Sequence, residues 1–342
     1  MPTVTIGIPV YKAEKYIERC LISVFNQTFE DIEILLIDDC GGDNSITIAK
    51  ELSKTKANSK EIRIIYHERN MGVANARNTI LSEAHGKYLY FMDADDAIEK
   101  NAISIMYEKA EKLNAEYVLG SYQGFGDSPT MNYIMQYPDI ELIGEDELAQ
   151  YECRDCGQNI QLAVWNILFN LNFLRSTRIR FEQHGSLDDM IFQFKIQPLV
   201  KTAVLMSNIT YYYYQHDNSL SNFQTRTSIP IFEAINAIAV NKIMKKSCLQ
   251  FTNKPYYDCR CTKVMKQSFY YCLAIIRHRN IMDKPITDRE IRDILKHPYT
   301  LQTIIKFKRY RIDNLLLYFL SKMPPKLMIT VVKVISKTKN IH

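Results

Sequence analysis

Three carboxylates close one apolar run. Asp93, Asp95 and Asp96 follow Tyr88-Leu89-Tyr90-Phe91-Met92, so a strand leaves the core into a knot of like charge. Such repulsion persists where something offsets it, and a hard divalent cation, Mn²⁺ or Mg²⁺, is the simplest partner. These ions take oxygen ligands, typically one or two carboxylates plus substrate phosphates. The plainer reading is an acidic turn that caps a helix beginning near Ala97. A second acidic exit is Leu36-Ile37-Asp38-Asp39-Cys40-Gly41-Gly42-Asp43-Asn44, where Asp39 can accept from a base N–H or a ribose hydroxyl. Asp43 or Asn44 can cap the helix behind it. In Ile6-Gly7-Ile8-Pro9-Val10-Tyr11, Pro9 fixes the chain direction and Tyr11 offers a ring to a planar ligand, or simply packs a strand edge. Arg77 lies one to two turns into a helix opened by Asn70-Met71-Gly72, either solvated or reaching a nucleotide. Asp188 and Asp189 open a further helix, a place the macrodipole favours for acids. His216 follows Tyr211-Tyr212-Tyr213-Tyr214-Gln215 as a ligand, a phosphate donor or an exposed strand-end side chain; the tyrosines themselves read as strand packing with alternating faces.

The elements that must position these groups alternate two periodicities. Strands are expected over residues 4–10, 32–37, 62–66, 88–92 and 117–122, and helices over 13–26, 44–56, 73–84 and 98–113. The continuous apolar run 32–37 suits a strand buried on both faces. This order implies an α/β fold with a mostly parallel sheet, right-handed crossovers and helices on both faces. Ligands of such sheets bind beyond the carboxyl ends of the strands, where both acidic exits fall. Residues 124–138 read as a loop, 165–174 as a buried segment, 186–194 as a helix start and 203–214 as one or two strands. From residue 229 the pattern is helical with prolines as punctuation. Two domains are expected: 1–225, divided into a nucleotide-binding half (1–122) and an acceptor half (123–225), and a basic helical region over 226–342.

The chain has 342 residues, with 46% hydrophobic and 24% charged content, as in globular proteins that bury a substantial core. No apolar segment that would serve as a signal peptide precedes the first strand, and no apolar run reaches the ~18 residues of a transmembrane helix. The eight cysteines have no framework spacing; Cys153-Arg154-Asp155-Cys156 and Cys259-Arg260-Cys261 would need to meet to hold zinc, and free thiols in a reducing, cytoplasmic compartment are the expectation. The net charge of +5 hides an asymmetry: residues 242–342 carry 22 basic and 6 acidic side chains, and the remainder is net acidic. A basic tail seeks nucleic acid or an anionic membrane.

Taken together, the Pro-Val-Tyr strand end, Asp-Asp-Cys-Gly near 40, Asn-Met-Gly-Val-Ala-Asn-Ala-Arg-Asn over 70–78 and Asp-Ala-Asp-Asp over 93–96 resemble the nucleotide-binding half of family 2 inverting glycosyltransferases, bacterial surface-polysaccharide enzymes of the GT-A fold. Lys12 stands where that family often has Asn. The resemblance implies that Pro9, Tyr11, Asp39, Arg77 and Asp93 serve the donor, with Asp39 on the base of a nucleotide, usually uracil, and Asp93 on the ribose. It implies that Asp95 binds the Mn²⁺ or Mg²⁺ that bridges the diphosphate, and His216 lies where some relatives have a His near the diphosphate or metal. Val164-Trp165-Asn166 followed by Leu168-Phe169 is similar to an acceptor-side segment, with Ile167 where many members carry Lys. Ser186-Leu187-Asp188-Asp189-Met190-Ile191-Phe192 is similar to a Glu-Asp-x-x-Phe motif with Asp188 in place of Glu, which makes Asp189 the catalytic base.

The implied partners are a nucleotide-sugar donor and a glycan or lipid-linked acceptor. Residues 303–339 interleave Lys and Arg with apolar runs, as in an in-plane amphipathic helix on anionic lipid, or pack as a helical subdomain. A cytoplasmic enzyme peripheral to the inner face of the cell membrane is the expectation, with no nucleic acid as partner because no nucleic-acid module accompanies the tail. Two rivals differ in what they need. A sugar nucleotidyltransferase would carry a Gly-rich triphosphate loop after the first strand, where Tyr11-Lys12-Ala13-Glu14 stands. A non-catalytic nucleotide- or glycan-binding protein would have no need of Asp39, Asp93, Asp95 and Asp189 together.

Overall fold

A computed structural model describes residues 2–55, 60–126, 131–153, 160–215, 231–280, 282 and 284–338. In chain order the strands are β1 (Val4–Val10), β2 (Ile32–Asp38), β3 (Glu61–Tyr66), β4 (Tyr88–Phe91), β5 (Ala97–Ile98), β6 (Tyr117–Phe125), β7 (Tyr133–Met135), β8 (Ile140–Ile143), β9 (Ile167–Asn170) and β10 (Thr202–Tyr214). The helices are α1 (Ile17–Phe25), α2 (Ser45–Thr55), α3 (Val73–Glu83), α4 (Ala102–Leu113), α5 (Glu147–Glu152), α6 (Leu171–Thr177), α7 (Asp188–Ile196), α8 (Ile231–Cys248), α9 (Tyr257–His278), α10 (Asp288–Ile294), α11 (Leu301–Ile305), α12 (Arg311–Leu320) and α13 (Pro325–Thr338). The chain divides into two compact units, Met1–Glu152 with Cys156–Asn222, and Cys153–Asp155 with Phe223–His342.

The first unit is built on a 10-stranded sheet whose main path runs β3-β2-β1-β4-β9-β6-β10-β5. β3, β2, β1 and β4 are mutually parallel, as are β6 and β10; β9 runs antiparallel between β4 and β6. β2 is buried along almost its whole length, because helices cover both faces of the sheet. One face carries the core of α1 and α4 with Ile6, Ile8, Tyr88 and Tyr90. The other carries α3 with Leu35, Ile37, Leu89 and Phe91. Gly7 is what lets α3 lie close: a Cβ there would overlap the Ile80 side chain.

The structure departs from the sequence expectation where short strands edge the sheet. The helix expected from residue 98 begins at Ala102, because Ala97 and Ile98 pair antiparallel with Tyr212 and Tyr211. The expected loop 124–138 contains β7, held against Tyr122–Gly124 of β6. The buried segment 165–174 is β9 running into α6, whose N-cap Asn170 accepts from Phe173 N at 3.0 Å. Residues 202–214 form one strand with two register shifts between Met206 and Tyr211.

The second unit is helical. α8 packs on α9, and α9 also receives α10, α12 and α13. The basic tail is therefore not one continuous helix. Tyr310, in the left-handed region at φ 53°, and the pair Pro324-Pro325 break it into α11, α12 and α13. Ile304, Phe307, Leu317, Leu320, Met328 and Val332 are buried in this unit. The Cys259 thiol lies 3.7 Å from the Cys153 carbonyl; Cys156 falls outside the described residues.

Candidate active site

The carboxyl ends of β1, β2 and β4 converge on one edge of the first unit. Pro9 and Val10 pair with Ile37 and Asp38, which puts the Pro-Val-Tyr and Asp-Asp exits side by side. Tyr11 stands 46% exposed beyond them, its ring open to a ligand. Asp39 is buried and already engaged. Its oxygens accept from Met71 N and Gly72 N, each at 2.8 Å, and from His67 Nδ1 at 2.7 Å. Gly72 sits at φ 84°, a region glycine enters without Cβ strain. The carboxylate thus holds the turn that launches α3, where helix N–H groups favour negative charge. Asp43, by contrast, serves the chain itself: it accepts from Ser45 at the start of α2 and from Glu14 N at 2.9 Å.

Arg77 emerges from the second turn of α3 and is only 5% exposed. Its Nη2 donates to Asp93 at 2.9 Å and its Nη1 donates to Asp189. Two residues expected to serve the donor and the residue expected to be the base are thereby joined. α7 reaches this position through a clamp on α3: Asn78 and Phe181 exchange side-chain-to-backbone hydrogen bonds at 2.9 Å in both directions. Phe181 stacks on Phe192 at 4.0 Å and meets Phe91 edge-on. The other Asp189 oxygen accepts from Val164 N at 3.3 Å. Burial pushes the Asp189 carboxyl above the usual carboxylate range, and the Arg77 charge opposes that rise. Asp188 points the other way: it accepts from His184 N and closes the turn before α7, and burial followed by the Asp189 charge raises its pKa to about 7.

Asp93, Asp95 and Asp96 offer three carboxylate oxygens within 4.8 Å of one another. Their surroundings separate their roles. Asp96 is fully buried and spends both oxygens on the protein, on Tyr211 OH at 2.6 Å and Tyr214 N at 2.8 Å. Asp93 is held by Arg77. Asp95 makes no side-chain hydrogen bond among the described residues, and burial together with Asp93 pushes its pKa up to about 6. One partly buried carboxylate whose charge Arg19 offsets only in part, beside a second held through one oxygen by Arg77, fits a hard cation that draws its other ligands from phosphate. His216 lies outside the described residues.

Several further groups support these acids, and no sequence motif marks His67 or Arg19 among them. His67 ends β3 and braces Asp39, with its Nε2 3.0 Å from Thr79 Oγ1; its place just past a strand end was the available signal. Arg19 donates to the Asp95 carbonyl and lies over the Tyr214 ring at 3.5 Å. Trp165 stacks on Tyr211 at 4.6 Å and on Tyr213 at 5.3 Å, while Tyr212 and Tyr214 turn to Phe125. Asn166, buried at φ 60°, donates to the Gly120 carbonyl at 2.6 Å and accepts from Thr210 Oγ1 at 2.6 Å and Tyr90 OH at 3.2 Å. These contacts hold the two residues that follow Val164, whose N–H meets Asp189.

Residues 5–161 match the family model described as Glycosyl transferase family 2. The glycosyltransferase GlyA of Streptococcus pneumoniae is 28% identical over 234 residues, which are 65% of this chain and 32% of GlyA. An uncharacterized glycosyltransferase of Bacillus subtilis, EpsJ, is 28% identical over 226 residues, 65% of this chain and 63% of that one. The chain thus spans about a third of one relative and under two thirds of the other. The crystal structure of S. aureus TarS 1-349 in complex with UDP-GlcNAc superposes with a TM-score of 0.68 at 16% identity, covering 93% of this chain and 90% of that one. Over residues 5–161 the unit that carries the acidic ledge matches glycosyltransferase family 2, and it has the GT-A fold.

Proposed function

We propose that this protein is a metal-dependent inverting glycosyltransferase that moves a hexosyl or N-acetylhexosaminyl group from a nucleotide sugar, of the UDP class, to a glycan or lipid-linked glycan. The observation that carries this reading is the Arg77 bridge, which sets Asp189 one guanidinium away from the acidic end of β4. The UDP-GlcNAc complex of TarS supports the donor class. On this reading Tyr11 and Pro9 flank the nucleotide, Asp39 uses its remaining acceptor capacity on the base, Asp93 meets the ribose with its free oxygen, and Arg77 stands behind Asp93. Asp95 would hold Mn²⁺ or Mg²⁺. When bound, such an ion neutralises the negative charge that grows on a departing diphosphate.

Asp189 takes the proton of the acceptor hydroxyl as that oxygen bonds to the anomeric carbon. The bond from that carbon to the diphosphate oxygen breaks on the opposite face, so the configuration inverts. Inverting hydrolases use a carboxylate in the same way to activate water. The Arg77 charge keeps the Asp189 carboxylate available despite its burial, and the Val164 N–H fixes its second oxygen. Replacement of Asp189 by Asn retains shape and hydrogen bonding but cannot take a proton. Asp189→Asn is expected to fold, to bind UDP as the wild type does, and to lose about 10²–10⁴-fold in transfer rate. Turnover close to wild type in that variant would refute the assignment.

The second unit supports an acceptor held at a membrane. Among the described residues no helix is long and apolar enough to cross a bilayer. α12 instead presents Ile312, Leu316 and Phe319, each more than half exposed, on one stripe, with exposed Lys322 and Lys326 beyond it and exposed Leu327 opening α13. Its acid, Asp313, pairs with Lys266 of α9 at 3.7 Å. An apolar row with exposed lysines fits the headgroup region of anionic lipid.

A further inference from the structure

Arg77 is built to act on another side chain. It connects Asp93, in the loop after β4, with Asp189, in the first turn of α7, two residues 96 positions apart in sequence. A guanidinium presents its donors in a rigid planar fork, so one residue can hold two carboxylates in a fixed mutual geometry; an ammonium on a flexible stem cannot. The side chain is buried, its Nε has no hydrogen-bond partner among the described residues, and both terminal nitrogens are turned to Asp93 and Asp189. The Phe181 ring lies 5.9 Å from the guanidinium carbon, and the backbone of Phe181 is held by Asn78, one residue on from Arg77. Among the described residues, Asp189 is otherwise held by the Val164 N–H and the backbone of α7.

We propose that Arg77 is a positioning residue that sets Asp189 and ties it to the donor-side Asp93, and that it does not grip the nucleotide itself. This deepens the reading of Asp189 as proton acceptor and rests on it. One cation between two carboxylates leaves an excess negative charge. A ribose hydroxyl that donates to Asp93 takes up part of that excess and leaves Asp189 the stronger hold. The base is then best placed when the donor is present, which couples donor occupancy to acceptor activation and disfavours idle hydrolysis.

The test is Arg77→Lys, which keeps the charge and removes the fork. Misplacement of a reacting group by about 1 Å can cost about 10²-fold, so kcat is expected to fall by about that factor. The Kd for UDP with Mn²⁺, from calorimetry, is expected to stay within about threefold of wild type, well under 1 kcal/mol. Because Arg77 acts through Asp189, the Arg77→Lys, Asp189→Asn double variant should be no slower than Asp189→Asn alone. Weakened UDP binding that accounts for the whole loss in kcat/KM, or losses that multiply in the double variant, would overturn the proposal while leaving Asp189 as base. Near wild-type turnover in Asp189→Asn alone would remove the base, and the proposal with it. If Arg77→Lys does not fold, a wild-type crystal with UDP and Mn²⁺ decides. A guanidinium still on Asp189, with no nucleotide atom inside about 3.5 Å, supports the proposal; a hydrogen bond to the nucleotide overturns it.

Discussion

Neighbouring acids in this protein have unequal environments, and the inequality assigns their work. Asp188 and Asp189 are adjacent, yet one closes a turn and the other meets Arg77. Asp95 and Asp96 are adjacent, yet Asp96 is bonded by Tyr211 and Tyr214 and Asp95 faces the charges of Asp93 and Arg19. Asp188 has a measurable consequence. Its pKa of about 7 in the folded state lies above that of an unfolded Asp, ~3.9. Between those values the folded state binds more protons than the unfolded one. Stability therefore falls as pH rises through the window and levels off above it. The melting temperature of the wild type is expected to drop between about pH 4 and about pH 7, and Asp188→Asn is expected to flatten that slope. An unchanged slope in the variant would show that Asp188 is not the group responsible.

At the scale of elements, the long-period signals were legible and the edges were not. β1 to β4 and α1 to α3 follow from apolar runs and helical spacing, and with them the edge where both acidic exits lie. β5 and β7 are two and three residues long and exist because β10 and β6 pair with them, which no local pattern carries. The acidic residues could be read as candidates from type and position. Their braces could not: His67 on Asp39, Tyr211 on Asp96 and Val164 on Asp189 are contacts between segments far apart in sequence. Asn166 shows how one such brace is built. It satisfies the Gly120 carbonyl and the Thr210 and Tyr90 hydroxyls from a left-handed backbone position. Asn166→Ala removes these bonds from the core, leaving the Thr210 hydroxyl to the Ser121 carbonyl at 3.3 Å, and is expected to cost about 3 kcal/mol in urea unfolding. A loss below about 1 kcal/mol would mean that the network is not a structural unit.

At the scale of the molecule, an acidic unit and a basic helical unit share one chain. The charge asymmetry was plain in the sequence, and the division of the tail into short packed helices was not, because it depends on α9 and α10 burying the inner faces of α12 and α13. The lipid reading of the outer face is tested by sedimentation with vesicles containing phosphatidylglycerol. Leu316→Glu with Phe319→Glu is expected to reduce binding by tenfold or more, since burying one such side chain is worth about 1.5–3 kcal/mol. Equal sedimentation of wild type and variant would remove α12 as the contact.

The central claim is that a nucleotide diphosphate and a divalent cation meet on the ledge beyond β4, facing Asp189. It is tested most directly by anomalous diffraction from crystals grown with UDP and Mn²⁺. The expected result is a manganese peak at roughly 2 Å from an Asp95 carboxylate oxygen, with the diphosphate bound to it, the base toward Asp39 and Asp189 facing the open side of the diphosphate. Nucleotide bound with no metal at Asp95, or bound at a place remote from Asp93 and Asp189, would contradict it.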